Sequence, residues 1–221
     1  MHKNVFNYLL ISLLIITVKV QSHPDPNQYI SVTISADAGG YKSLQKAYQD
    51  ATKCSNLGDA CFRLDPIPLN KYHMTLMGYD IFFSQDNLPY QKQHYFNNRI
   101  YDALMDAASQ AYKNVDPIAL PFEYLGVFKK KIVGIFDSTS NFERFIDYID
   151  RYFKQNIKDL TNKGTINSIK KHQVIIQPHI AVANHQFPTE FGAGLTTNVP
   201  VSKFIIDDQK LFVSVQWRTI K

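Results

Sequence analysis

Between residues 29 and 35 the chain alternates Ile30, Val32 and Ile34 with Ser31, Thr33 and Ser35. A period of two commits such a segment to a strand with one buried and one wetted face. Gly39-Gly40 ends the pattern, and Leu44, Ala47, Tyr48 and Ala51 follow at helical spacing. After the turn-rich Asp65-Pro66-Ile67-Pro68, residues 72–79 read as a second strand. Residues 98–112 read as a helix with Ile100, Ala103, Leu104, Ala107, Ala108 and Ala111 on one face. Residues 119–128 and 132–136 form a hairpin pattern turning at Lys129-Lys130-Lys131. Ser140-Asn141-Phe142-Glu143 has the form of a capping box, and apolar residues from Phe142 to Leu160 keep helical spacing behind it. Residues 174–183 read as a strand, residues 192–198 as a loop, and residues 199–206 with 210–217 as a closing strand pair around Asp207-Asp208. Helices and strands do not alternate regularly, which favours an α+β fold with antiparallel sheets over a doubly wound parallel sheet. The two halves share a similar element order without a sequence repeat.

With 221 residues, 45% of them hydrophobic and 19% charged, the chain has the make-up of a folded protein, and disordered or fibrous classes are excluded. Its length fits one large domain or two small lobes. Residues 1–22 open with Lys3, run through an apolar stretch at residues 8–18 and end in Val20-Gln21-Ser22. This is the form of a cleaved secretory signal. The apolar stretch falls well short of the ~20 residues that cross a bilayer, and no later run is long enough to do so. Cleavage leaves residues 23–221 as one expected bilobal domain. It also lowers the net charge from +5 to +3, with 22 basic against 19 acidic residues remaining. That balance suits an anionic substrate but is too weak for a protein that coats duplex DNA. Export means an oxidising compartment, so Cys54 and Cys61 are expected to form a local structural disulfide.

Within Lys71-Tyr72-His73-Met74-Thr75-Leu76, alternation sends His73 and Thr75 to one face, while Tyr72, Met74 and Leu76 point into apolar packing. Gln177-Pro178-His179-Ile180-Ala181-Val182 repeats the arrangement, with His179 opposed by Ile180 and Val182. Two imidazoles carried by two strands can flank one phosphodiester. One takes a proton from the attacking oxygen while the other gives one to the leaving oxygen, without need of a metal. Thr75, two residues past His73 and about 7 Å along the strand, is suited to donate a hydrogen bond to a phosphate oxygen.

On these residues the sequence resembles the 2H phosphoesterase superfamily, marked by two His-x-Thr/Ser motifs with apolar flanks. They stand here as His73-Met74-Thr75-Leu76 and His179-Ile180-Ala181-Val182. The resemblance runs over nearly all of residues 23–221. It implies a bilobal α+β fold, with two antiparallel sheets flanking a central cleft, helices outside and one histidine from each lobe. The activity it implies is hydrolysis of 2′,3′-cyclic phosphates or of 2′,5′- or 3′,5′-linked oligonucleotides, with His73 and His179 catalytic, Thr75 binding substrate and no cofactor. Ala181 departs from the family pattern of Thr or Ser. A missing donor of this kind costs ~2.7–4 kcal/mol in an oxyanion-hole setting, so turnover would be slowed.

The expected function is therefore an exported, monomeric, metal-independent phosphodiesterase acting on nucleotide or short RNA phosphodiesters. The alternative is a catalytically degenerate nucleotide- or RNA-binding protein of the same fold. Lys129-Lys130-Lys131 is a candidate phosphate contact or a solvated turn. Tyr72, Phe122, Tyr124 and Phe128 are candidate base-stacking platforms or core aromatics. His185 could join His73 and His179 on zinc, but no carboxylate or cysteine spacing supports it. His23, His94 and His172 read as surface residues. Intact-mass measurement of exported protein should show a chain beginning near His23 with no free thiol; retention of residues 1–22 or two free thiols contradicts the export reading.

Overall fold

The structure, a computed structural model, describes residues 27–36, 41–84, 90–172, 177–186 and 195–218. The expected signal segment lies outside them. In chain order the strands are β1 (Asn27–Ser35), β2 (Leu64–Pro66), β3 (His73–Phe83), β4 (Ala119–Leu120), β5 (Phe122–Phe128), β6 (Lys131–Phe136), β7 (Ile166–His172), β8 (His179–His185), β9 (Phe204–Ile205) and β10 (Leu211–Arg218). The helices are α1 (Lys42–Ala51), α2 (Cys54–Leu57), α3 (Tyr90–Lys113), α4 (Ser140–Asn156) and α5 (Lys158–Asn162). All strand pairings are antiparallel, and the α+β architecture is the one expected.

Strands run in the order β10-β1-β3-β8-β6-β5, with β7 also on β3 and β2 also on β8. The sheet is two strand groups joined at one place. Among the described residues β3 and β8 pair only at Met74 and Ile180, and each strand then turns to its own partners. β3 continues beside β7 from Gly78 onwards, while β8 continues beside β2 from Ala183 onwards. An irregularity on the β1 side leaves Leu76 as an extra residue between Thr75 and Met77. Both Leu76 and Met77 are buried, so the bulge resets the alternation and the rest of β3 keeps Tyr79, Ile81 and Phe83 on the core side.

The helices cover the back of the sheet. Leu44 of α1 lies over Gly134 of β6, where a Cβ would stand only 2.6 Å from Leu44 Cδ1, so a larger residue there would displace the Leu44 side chain. The four α1 residues expected to face inward, Leu44, Ala47, Tyr48 and Ala51, are the buried ones. Tyr79 stacks on Phe153 of α4 at 4.7 Å and donates its hydroxyl to Asp150 at 3.0 Å. Burial first, and the neighbouring Asp150 carboxylate second, hold the Tyr79 phenol protonated far above its usual range. Asn156 of α4 donates to Ala103 O and Asp106 of α3 at 3.2 and 2.9 Å, tying the two long helices together.

Several sequence expectations are corrected. The cap of α4 is Thr139, one residue earlier than the expected Ser140, and its hydroxyl accepts from the Phe142 amide at 3.3 Å. The helix stops at Asn156, because Ile157 leaves helical geometry at φ −108°, ψ 8° before α5 begins. Pro121 divides the expected 119–128 strand into β4 and β5. Residues 199–206 and 210–217 do not pair with each other: β9 pairs with β4, and β10 pairs with β1 across eight residue positions. Strands β2 and β7 were not expected. Among the described residues, no helix is long and apolar enough to cross a membrane.

Cys54 and Cys61 are disulfide-bonded, closing α2 and the 3₁₀ turn after it onto each other. Closing a loop of this length removes about 2.5 kcal/mol of chain entropy from the unfolded state. Replacing both cysteines by Ser should lower the melting temperature by roughly 5–10 °C, at about 2–4 °C per kcal/mol for a chain of this size. A thermal melt measures it; an unchanged midpoint contradicts a stabilising role.

Candidate active site

The two histidines sit at the first residues of β3 and β8, where the strand groups meet. Carrying the Met74–Ile180 register one residue each way sets His73 across from Ala181 and Thr75 across from His179. His73 and His179 are thus diagonal neighbours on one face, a relation that separates backbones by about 7–8 Å and suits a small group held between two side chains. Both histidines, with Thr75 and Ala181, line one cavity of about 560 Å³ whose other walls are Phe128, Lys129, Lys130 and Lys131.

Each imidazole is held in the same way. Nδ1 of His73 donates to Lys71 O at 2.9 Å, and Nδ1 of His179 donates to Gln177 O at 3.1 Å. A carbonyl only accepts, so Nδ1 carries the proton in the neutral ring and Nε2 is the nitrogen that exchanges one. The carbonyl is in both cases two residues before its histidine, so Lys71-Tyr72-His73 and Gln177-Pro178-His179 hold their rings alike although they share only the histidine. His73 is exposed and His179 half-buried. Tyr72, beside His73, is buried, and desolvation first and Tyr48 second push its phenol up to about 12, so it stays neutral.

The aromatic candidates separate. Tyr72 is 1% exposed and belongs to the core, while Phe122 packs edge-on against buried Phe136 at 5.7 Å. Phe128, 44% exposed, lies 5.4 Å from the His179 ring at the cavity edge. Tyr124, also exposed, shares an adjoining cavity with Phe128 and His179. Phe128 is therefore the aromatic in contact with a site histidine. Lys129 Nζ stands 5.4 Å over the Phe128 ring, and all three lysines of the hairpin border the cavity.

His185 is not part of this group. It lies at the far end of β8, about 20 Å along the strand from His179, too far to share an ion. Its Nε2 donates to Lys129 O at 2.9 Å and its amide to Lys130 O at 3.0 Å, so it braces the hairpin tip from within. Among the described residues no three His, Cys, Asp or Glu side chains gather as a metal site. His23 and the side chains of His94 and His172 lie outside the described residues.

One group of residues escaped the sequence reading. On the same face, Thr33 is paired with Thr75 and Ser35 with His73, while Phe212 and Ser214 of β10 pair with Thr33 and Ser31. Together with Tyr29, Tyr72, Asn70 and Lys71 these line a second cavity of about 590 Å³ that shares His73 and Thr75 with the first. The serines and threonines were visible only as the wetted side of a strand. Their convergence depends on the long-range β1–β10 register, which no local pattern reveals.

No protein-family model matches the chain, and no curated protein matches it. Among solved structures, it is similar to TT0787 of Thermus thermophilus, at 14% identity over 85% of this chain and 86% of that one, with a TM-score of 0.41. It is similar to E. coli LigT complexed with 3′-AMP, at 10% identity over 89% and 96% of the two chains, with a TM-score of 0.43. It is also similar to the MHV ns2 PDE domain, at 11% identity over 82% and 97%, with a TM-score of 0.35. With every one of these TM-scores below 0.5, the functional reading rests on the residues and geometry described above.

Lys129 takes φ 55°, the left-handed region that costs a non-glycine residue roughly 1–2 kcal/mol. Lys129→Gly should therefore leave the melting temperature unchanged or raise it slightly; a drop of several degrees would show that the Lys129 side chain stabilises the hairpin by more than the backbone cost.

Proposed function

We propose that this chain is an exported, metal-independent phosphodiesterase of the 2H type, hydrolysing nucleotide or RNA-derived phosphodiesters. The observation that carries the reading is the matched pair of imidazoles, each fixed through Nδ1 to a backbone carbonyl and both lining one cavity. The neutral histidine accepts, at Nε2, the proton of an attacking water or hydroxyl as the new P–O bond forms. The other, as imidazolium, gives its Nε2 proton to the leaving oxygen as the old P–O bond breaks. With water as nucleophile the products are a phosphomonoester and an alcohol, and exchange of protons with solvent resets the pair. Thr75 donates to a non-bridging phosphate oxygen, and the three lysines raise the local concentration of anionic substrate. Both proton-transfer groups are side chains, so the mechanism asks nothing of a metal. The disulfide suits the oxidising compartment that export implies. Residues 23–221 act as one unit and as a monomer.

A second reading, a nucleotide-binding protein without turnover, draws on Ala181. Thr75 stands across from His179, but the corresponding place across from His73 carries only a methyl group.

If the first reading holds, activity survives EDTA and follows a bell-shaped pH profile set by one neutral and one protonated imidazole. His73→Ala or His179→Ala should each lower kcat by ~10²-fold or more, and the double variant should be scarcely worse than either, since groups acting as a unit are not additive. Thr75→Ala should slow turnover, whereas Ala181→Ser, which adds a hydroxyl beside His73, should leave it unchanged or raise it. Purified residues 23–221 would be assayed by mass spectrometry against 2′,3′-cyclic mononucleotides, 2′,5′-oligonucleotides and short RNAs. Binding without turnover on all of them selects the second reading, and dependence on Zn²⁺ rules out the two-histidine mechanism.

A further inference from the structure

Strand β5 carries an irregularity beside the site. Phe122 pairs with Phe136 and Tyr124 with Ile135, which leaves Glu123 as an extra residue. A bulge re-aims the side chains next to it. Here Glu123 and Tyr124 are both exposed and Leu125 is buried again, so two successive side chains stand on the outer side of the sheet. The Glu123 carboxylate accepts from Nε2 of Gln177 at 3.0 Å, and the backbone carbonyl of the same Gln177 holds Nδ1 of His179. Gln177, Tyr124, Phe128 and His179 line a cavity of about 300 Å³ whose remaining walls are three aliphatic side chains of β5 and β6. It shares Phe128 and His179 with the cavity where both histidines meet. Two exposed rings beside an aliphatic wall suit the flat faces of a nucleobase. A carboxylate at this place repels a phosphate, so a group that bonds to it has to be neutral and to bring N–H donors.

Resting on the proposed phosphodiesterase reading, we infer that this cavity selects guanine, with Gln177 and Glu123 reading its Watson–Crick edge. One N–H of the Gln177 amide is used on Glu123, and the second has no partner among the described residues. Where Gln177 Nε2 and the carboxylate meet, the pair offers one donor followed by two oxygens that only accept. Guanine presents O6, N1–H and N2–H in that order, an acceptor followed by two donors, and is complementary at all three places. Adenine sets its N1 lone pair, cytosine its N3 and uracil its O2 against a carboxylate oxygen, where acceptor meets acceptor. A site built to bond an N–H rejects a base that lacks it. The Tyr124 hydroxyl both donates and accepts, so it favours no base. The phosphate lies on the side of the histidines and lysines, away from Glu123.

The test measures kcat/KM of residues 23–221 on the four 2′,3′-cyclic mononucleotides and on 2′,5′-dinucleotides of the same four bases, in wild type and in Glu123→Gln. Glu123 is exposed, so the exchange leaves the core untouched. The expected results are a kcat/KM on guanosine substrates at least about tenfold above that on the other three, and a guanine-to-adenine ratio that falls about tenfold in the variant, carried mainly by KM. The reason is that an amide at 123 offers one acceptor and one donor, the complement of adenine. Equal turnover of the four bases, or a ratio in the variant within twofold of wild type, overturns the base assignment while the phosphodiesterase reading stands. If no substrate is turned over, the phosphodiesterase reading falls, and titration with the four nucleoside monophosphates decides the base assignment by itself. Guanosine monophosphate bound at least tenfold more tightly than the other three upholds it, and equal affinities overturn it.

Discussion

Among the described residues β3 and β8 meet in one antiparallel pair, Met74 against Ile180, and the placing of the site depends on it. Two strands that start side by side and then diverge to separate partners bring together their first residues and little else. Because side chains alternate, the residues on either side of that contact all point to the same face, and they are His73, Thr75, His179 and Ala181. The helices on the back of the sheet support this arrangement. Burial of Met74 and Ile180 at 0% exposure fixes the register, and a slip by one residue would turn both histidines into the core. Tyr79 on Phe153 and Leu44 on Gly134 anchor the two strand groups to α4 and α1.

From that geometry the chemistry follows with few additions. A carbonyl two residues upstream of each histidine engages Nδ1 in both rings, which in the proposed mechanism leaves proton exchange to Nε2. The surroundings differ. One side offers hydroxyls from β1 and β10 beside Tyr29, Tyr72 and Phe212, the other Ala181, Phe128 and the lysine hairpin, which His185 braces from beneath. Ala181 lines the cavity of Phe128 and the lysines and pairs with Val133 of β6. The alanine leaves the place across from His73 without a hydroxyl.

Much of the site was legible in the sequence because it is local. The alternation in residues 71–77 and 177–183 orients the histidines, and helical spacing identifies the four residues by which α1 is buried. What was not legible is non-local. β10 pairs with β1 across most of the chain, so the hydroxyl groove exists only once residues 31 and 214 are neighbours. The expected 199–206 and 210–217 hairpin failed for the same reason: each segment has a distant partner, in β4 and β1, that a sequence pattern does not name. The aromatic choice needed burial, since Tyr72 and Phe128 look alike as sequence but only Phe128 is exposed and against a site histidine. The cap at Thr139 instead of Ser140 shows how little separates two adjacent hydroxyls in a sequence reading.

The central claim is that His73 and His179 act on one phosphate through Nε2. Nitrogen-15 NMR of the histidine rings of residues 23–221, at a pH where they are neutral and during titration with inorganic phosphate and adenosine monophosphate, tests it most directly. The account predicts Nδ1-protonated tautomers at both positions and Nε2 resonances of His73 and His179 that move together along one binding curve. An Nε2-protonated tautomer at either position, or a response confined to one of the two rings, would contradict it.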